Sequence, residues 1–499
     1  MISRVKALIL PLIFSFTFIA SSFAQSAPEF YQKALEEFKA GHWDASIDAF
    51  THVIDLSPRN AIGYTGRALA RRAKGDLDGA IADFDRAVEM SPGDASIYAK
   101  RAGLRKAKGD PEGALADYDR AISLNSKSAT YFMERGILKN ARHDPEGALA
   151  DLDQAVALDP SDTLVYRNRA ALKRSRNDLK GAIADYTEII KLQPNESSGY
   201  LARGETKSRQ KDFGGAIADY NQAIALNPND GANYFARGGA YFDLKRWDNA
   251  IADFSRAIAV NPKDVQAYGN RGIAHYMKQD FAASIADLSR TIALDPNFAD
   301  AYYYRGSSRM STGDLDGAIK DLSWTIGRNP NHADAYAARG TGRFGKEDYT
   351  GAIADYTKCI RLNPQGADYV RFRLALVLRR QGLDDGASGL RPAVLKWPES
   401  WPKKVGLFLI GATTESDFLK QAAIAGTQSV TEQQCEAYYY AGMLNLLKGD
   451  KARATEFFEM ALATKLSPYP EYSLARAELN RLQTKPAIDK RIEQLKRRA

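Results

Sequence analysis

The sequence predicts an all-α protein, an array of tandem helical hairpins, and three features predict it. Comparison of the chain with itself returns a period of 34 residues from Ala27 to Gly366 with essentially no insertions. Each period holds two stretches with the i, i+3/i+4, i+7 apolar spacing of an amphipathic helix. A proline closes nearly every period, where a helix cannot continue. A period of this length signals a solenoid, because one hairpin cannot bury its apolar stripe alone and neighbours must stack to complete a core.

Ten repeats fit residues 27–366, beginning at Ala27, Ala61, Ala95, Ala129, Thr163, Ser197, Gly231, Val265, Ala299 and Ala333. In the first half an aromatic at the fourth place precedes a small residue at the eighth, as in Tyr64/Ala68, Tyr234/Gly238 and Tyr336/Gly340. This spacing sets a large group beside a hole one turn later. The second half repeats the pattern of Ala250-Ile251, Phe254 and Ala257-Ile258. Gly-Asp turns such as Gly75-Asp76, Gly109-Asp110 and Gly313-Asp314 separate the halves, and closing prolines run from Pro58 to Pro364 with Ser126 the exception. These residues closely resemble the tetratricopeptide repeat. That resemblance implies a right-handed α-solenoid, the first helices lining a concave groove and the second ones its convex back.

A second periodicity is electrostatic. Arginine recurs at the seventh place from Arg67 to Arg373, including Arg203, Arg237 and Arg271, and aspartate at the twenty-third from Asp83 to Asp355, including Asp219, Asp253 and Asp287. Ten arginines thus face nine aspartates. Their joint recurrence predicts mutual neutralisation at inter-helix contacts rather than a charged binding track. Pairing within a repeat and pairing with the preceding repeat both leave one arginine over, so the sequence leaves the rule open.

Residues 1–24 differ from the rest: Arg4 and Lys6 precede the apolar run Ala7–Ala20, and Ser22-Phe23-Ala24 offers small residues at cleavage-type positions. This pattern predicts a cleavable signal peptide and a periplasmic or secreted protein, with no cysteine after the site to carry a lipid anchor. The run is shorter than the ~20 residues a membrane-spanning helix needs. Cleavage would lower the formal charge from +8 to +6, a mild excess. Cys359 and Cys435 do not form a disulfide framework, and cysteines on well-separated helices miss the Cα spacing of a disulfide. Cys359 is expected to fill a small buried position.

Regularity weakens over 367–434, where Gly389 stands in place of the expected aspartate and Trp397-Pro398 and Trp401-Pro402 interrupt. Residues 435–468 read as one further repeat, and 469–499 as a solvent-facing capping helix over Pro470–Leu482 followed by a basic tail with six cations from Lys485 to Arg498. The stretches WPKKVGLFLIGATTESDFL and CEAYYYAGMLNLLKGDKARATEFFEMALAT resemble the C-terminal part of exported bacterial repeat proteins related to the lipoprotein NlpI. That resemblance implies an adaptor holding envelope proteases or peptidoglycan hydrolases, although the lipid-attachment cysteine is missing here.

Nothing in the sequence points to catalysis. His42, His52, His143, His275 and His332 lie in different repeats without ligand spacing, and phosphate-binding, GxSxG and HExxH motifs are absent from the sequence. No cofactor or metal is expected. The repeat resemblance directs attention to places two, five, nine and twelve of each first helix. These supply a basic stretch with Arg72, Lys106, Arg167 and Arg174, then an aromatic one with Phe235, Phe242, Tyr276, Tyr303, Met310 and Phe344. Exposed aromatics and methionine anchor protein partners, so a peptide or protein ligand is expected. A cell-wall glycan or anionic lipid bound through the basic groove and tail is the alternative. Nucleic acid is disfavoured by export and by the small net charge.

Overall fold

The computed structural model describes residues 26–383, 387–424, 429–466 and 469–482. The predicted signal segment and the basic tail lie outside the described residues. Among those described there are 27 helices and no strand. They form two compact bodies, one ending at Pro194 and one starting at Asn195. Repeats 1–5 make up the first; repeats 6–10 and the C-terminal segment make up the second.

Each repeat is an A helix and a B helix, for example Gly231–Asp243 and Trp247–Val260. The turn between them is set by two residues. Gly75, Gly109 and Gly313 end their A helices in the left-handed conformation, and the following aspartate caps the B helix, Asp76 accepting from the Gly79 N–H at 2.8 Å. Where glycine is missing, His143, Asn177, Lys211, Lys245, Gln279 and Glu347 adopt the same positive φ at the same place. The turn therefore outlasts its glycine, at a backbone cost of about 1 kcal/mol.

The hole at the eighth place is filled from a different direction than the sequence suggested. A Cβ on Gly204 would stand 2.6 Å from the ring of Tyr220, and one on Gly238 2.9 Å from that of Phe254. The packing partner is thus the B-helix residue at place twenty-four of the same repeat. The fourth-place aromatic instead lies under the seventh-place arginine, as with Arg169 over Tyr166 at 5.5 Å and Arg339 over Tyr336 at 5.6 Å. Cys359 occupies the place that alanine holds in Ala223 and Ala257, and is buried with them. Cys359 and Cys435 are both free thiols.

The C-terminal segment fuses with repeat 10 into one continuous core containing Phe344, Phe372, Trp401, Phe418, Tyr440 and Phe458. Its last helix, Pro470–Leu482, is not solvent-facing. It buries Leu474, Ala475 and Leu479 and packs against the A helices of repeats 9 and 10, Ala299–Thr312 and Ala333–Gly345. Two carboxylates on that helix, seven residues apart, meet two arginines seven apart on Asp368–Arg380: Glu471 binds Arg373 at 2.9 Å and Glu478 binds Arg380 at 2.6 Å. Arg481 reaches the Gly345 carbonyl at 2.7 Å and Glu347 at 3.0 Å. A helix read from its own pattern as a cap is held by tertiary contacts nearly a hundred residues away.

Candidate functional site

The charged series decides which side chains remain for binding. Every aspartate from Asp83 to Asp355 in the series is 2–7% exposed and pairs within its own repeat. Arg67 donates from Nε at 3.0 Å and from Nη2 at 2.7 Å to the two oxygens of Asp83, and Arg237 treats Asp253 alike at 2.8 and 2.7 Å. A second cation one turn on, absent from the sequence reading, adds to the clamp: Arg71, Arg105, Lys139, Lys173, Lys207, Arg309 and Arg343 lie 2.8–3.0 Å from the same carboxylates. The remaining guanidinium nitrogen reaches back to the preceding repeat, as from Arg101 to Asp85 at 2.7 Å and from Arg271 to Ser255 at 2.9 Å. The series is taken up in these contacts, and the arginine left over is Arg373, which takes Glu471 in place of the missing aspartate.

A further ladder runs along the surface between repeats. Lys74 pairs with Asp44, Lys108 with Asp78, Arg142 with Glu112, Arg176 with Glu146, Lys278 with Asp248 and Lys346 with Asp316. Leu244 stands where the cation belongs opposite Gly214, and Thr312 opposite Ala282, so cation and acid are present or absent together. These pairs are exposed, each worth roughly 0–1 kcal/mol.

Of the expected aromatic groove, Tyr276, Tyr303 and Met310 are gathered in one cleft of about 240 Å³ on the A helices of repeats 8–10, with Asp334 and Arg373 in its wall and Ser473 of the last helix at its edge. Tyr276 packs edge-on to Tyr304 at 5.3 Å, and Tyr303 lies 4.7 Å from the His332 ring. Burial, reinforced by Tyr276 and Asp334, pushes the Tyr303 hydroxyl well above the usual range. Phe235 and Phe242 do not join the cleft; they pack on Phe254 and Trp247 of their own repeat at 5.6 and 5.0 Å. Phe344 is 1% exposed inside the C-terminal core, with the last helix against its backbone, so it presents no binding surface.

The basic stretch is similarly divided. Arg72 and Arg167 are exposed, Arg174 is half-buried, and Lys106 is tied to Glu134 at 2.7 Å. A cleft of about 340 Å³ over the A helices of repeats 1–3 is walled by Tyr31, Leu35, Phe38, Ile62 and Ile97, with Lys100 among them. Burial holds the Lys100 amine below its usual range, Asp94 opposes this, and Arg72 adds to it. Sequence reasoning passed over Lys100 because it sits at place six, not among the inspected places. Asp334, at place two, was within them but was overlooked beside the aromatics.

Among the described residues no group of three or more His, Cys, Asp and Glu side chains could hold a metal ion, and no helix is long and apolar enough to cross a membrane. Profiles of the tetratricopeptide repeat match residues 31–95, 100–163, 134–197, 270–333 and 303–367, with related repeat profiles at 197–230 and 238–279. The chain belongs to the tetratricopeptide-repeat family, whose members bind peptide or protein partners. Solved structures similar to it include MamA at 30% identity, covering 33% of this chain and 97% of that one with a TM-score of 0.31. YrrB, described as a TPR protein with an unusual peptide-binding site, shares 21% identity over 36% of this chain and 93% of its own, with a TM-score of 0.34. Yeast Tom70 shares 16% over 80% and 97%, with a TM-score of 0.33. No curated protein matches the chain.

Proposed function

We propose that the protein is a non-enzymatic scaffold, exported from the bacterial cytoplasm, that binds a peptide or protein segment on the A-helix face of repeats 8–10. The observation that carries this reading is the cleft holding Tyr276, Tyr303 and Met310: three large side chains that the fold leaves half-open while burying Phe344 and packing Phe242 away. Side chains of this kind, in a pocket rimmed by polar groups, are where interface energy concentrates. The hydrophobic leader in the sequence supports export. The tail's resemblance to envelope adaptors suggests proteases or peptidoglycan hydrolases as partners.

Filling the cleft tests the reading. Ser307→Trp, and separately Tyr276→Ala with Tyr303→Ala, are expected to abolish recovery of partners from a periplasmic fraction, read by mass spectrometry, with helical circular dichroism unchanged. Equal recovery by wild type and both variants rules the cleft out. Binding through aromatics is expected to persist at about 0.5 M salt, where charge-driven binding is screened.

The N-terminal cleft favours a second reading for the first body. A half-buried lysine with no hydrogen bond or ion pair among the described residues, set in an apolar wall, suits an anionic lipid or glycan group. Lys100→Met is expected to remove retention on anionic vesicles, and retention equal to that of the wild type rules this reading out.

A further inference from the structure

The cleft of the second body carries more than aromatic surface, and three of its features point to one ligand chemistry. Asp334 is exposed at the second position of its helix, and no cation lies within ion-pair distance of its carboxylate among the described residues. Asp300 occupies the same place one repeat earlier, likewise without an ion pair there. The series aspartates, by contrast, are each clamped by arginine. The unneutralised charge is felt locally: after burial itself, Asp300 and then Asp334 raise the Tyr304 hydroxyl, and Asp334 also raises the Cys359 thiol.

The second feature is the pair of tyrosine rings, Tyr276 and Tyr303, that line the same cleft. A carboxylate next to aromatic faces, with the Met310 thioether completing the wall, attracts a cation by charge and by the ring quadrupole together.

The third is a donor without an acceptor. Arg373 is 7% exposed and lines the cleft, and its Nε–H has no hydrogen-bond partner. In the other arginines of the series Nε is spent on the aspartate of the same repeat, at 2.7–3.1 Å. Gly389 replaces that aspartate for Arg373, and Glu471 engages only Nη2. A buried N–H left without an acceptor costs free energy that an incoming carbonyl oxygen recovers.

We infer that this cleft recognises a basic side chain, lysine or arginine, of a peptide segment: the cation meets Asp334 between Tyr276 and Tyr303, and a peptide carbonyl accepts from Arg373. The inference rests on the peptide-binding reading of the same face and specifies its anchor. Arg373 does not repel the anchor, because Glu471 neutralises it at 2.9 Å.

The test uses the full chain and capped hexapeptides, Ac-Ala-Ala-Lys-Ala-Tyr-Ala-NH2 and its arginine and norleucine analogues, titrated calorimetrically. The lysine or arginine peptide is expected to bind about tenfold more tightly than the norleucine one, and Asp334→Asn to erase that difference while leaving the norleucine affinity alone. Asp334 is exposed and outside the aspartate series, so the variant folds; its circular dichroism checks this. Equal binding of all three peptides by wild type overturns the anchor and keeps the groove. Binding of none, with partner capture still intact in Ser307→Trp, removes both. Free lysine amide binding as tightly as the peptide also overturns the inference, since the cleft would then take a small cation rather than a peptide.

Discussion

Replacing Asp219 by alanine is expected to lower the melting temperature of the second body by the equivalent of about 3–5 kcal/mol, the cost of stranding a buried charge. Asp219 is 4% exposed and receives Arg203 through Nε at 3.0 Å and Nη2 at 2.7 Å, with Lys207 at 2.8 Å. Removing it leaves two cations facing each other across a site built for their common counter-ion. The loss should be local, because stability in a repeat array is a sum over repeats and their interfaces. Lys207→Met, which leaves the bidentate arginine in place, is expected to cost about 1 kcal/mol. Combining Arg203→Met and Lys207→Met with Asp219→Leu should recover much of the loss, since apolar side chains of similar volume can replace a buried ionic cluster. Thermal unfolding by circular dichroism measures all three, and an unchanged curve for Asp219→Ala would falsify the structural role of the series.

The C-terminal core should respond to pH in a direction opposite to that of ordinary acid denaturation. Glu436 is buried beside Glu471, and burial followed by that carboxylate pushes it up from 4.5 to about 8, against the opposing pull of the Trp401 indole, Tyr369 and Arg373. The Trp401 Nε1–H donates to Glu436 at 2.7 Å. Between those two values the folded chain holds a proton that the unfolded chain has released. Stability from this group is therefore full below about pH 4.5 and is lost as pH rises towards 8, on the order of 5 kcal/mol in all. Glu436→Gln keeps the acceptor for Trp401 and removes the titration. The variant's melting temperature is expected to match the wild type's near pH 4.5 and to exceed it increasingly up to pH 8. A difference that does not vary with pH would show that Glu436 does not titrate in the folded state.

What the sequence revealed follows from what repeats. Helix positions, the turn with its capping aspartate, the arginine and aspartate places and the small site of Cys359 each recur at a fixed offset, so ten copies average out the ambiguity of one. The pairing rule was invisible because offsets of 16 and 18 residues fit the same period equally well; only side-chain geometry separates them. The surface ladder was legible, since Leu244 and Gly214 lose cation and acid together, but it needed comparison across a repeat boundary. The last helix was misjudged because its partners, Arg373 and Arg380, lie 98 residues upstream and no local pattern encodes them. The cleft residues escaped for the complementary reason. Asp334, Lys100 and the idle Nε of Arg373 matter as departures from the pairing that surrounds them.

Closing each arginine–aspartate clamp inside one repeat makes the first body extensible in whole copies. If residues 129–162 were excised in phase, Arg169 would still find Asp185, and its third nitrogen would meet Asp119 where it now meets Asp153. Arg176 would find Glu112 in place of Glu146. Loss of this repeat thus keeps the clamps and the surface ladder paired, and among these inter-repeat pairs Lys106 alone loses its partner, meeting Asn168 where it now meets Glu134. The C-terminal segment has no such freedom: its core is interlocked across a hundred residues and can only be inherited intact.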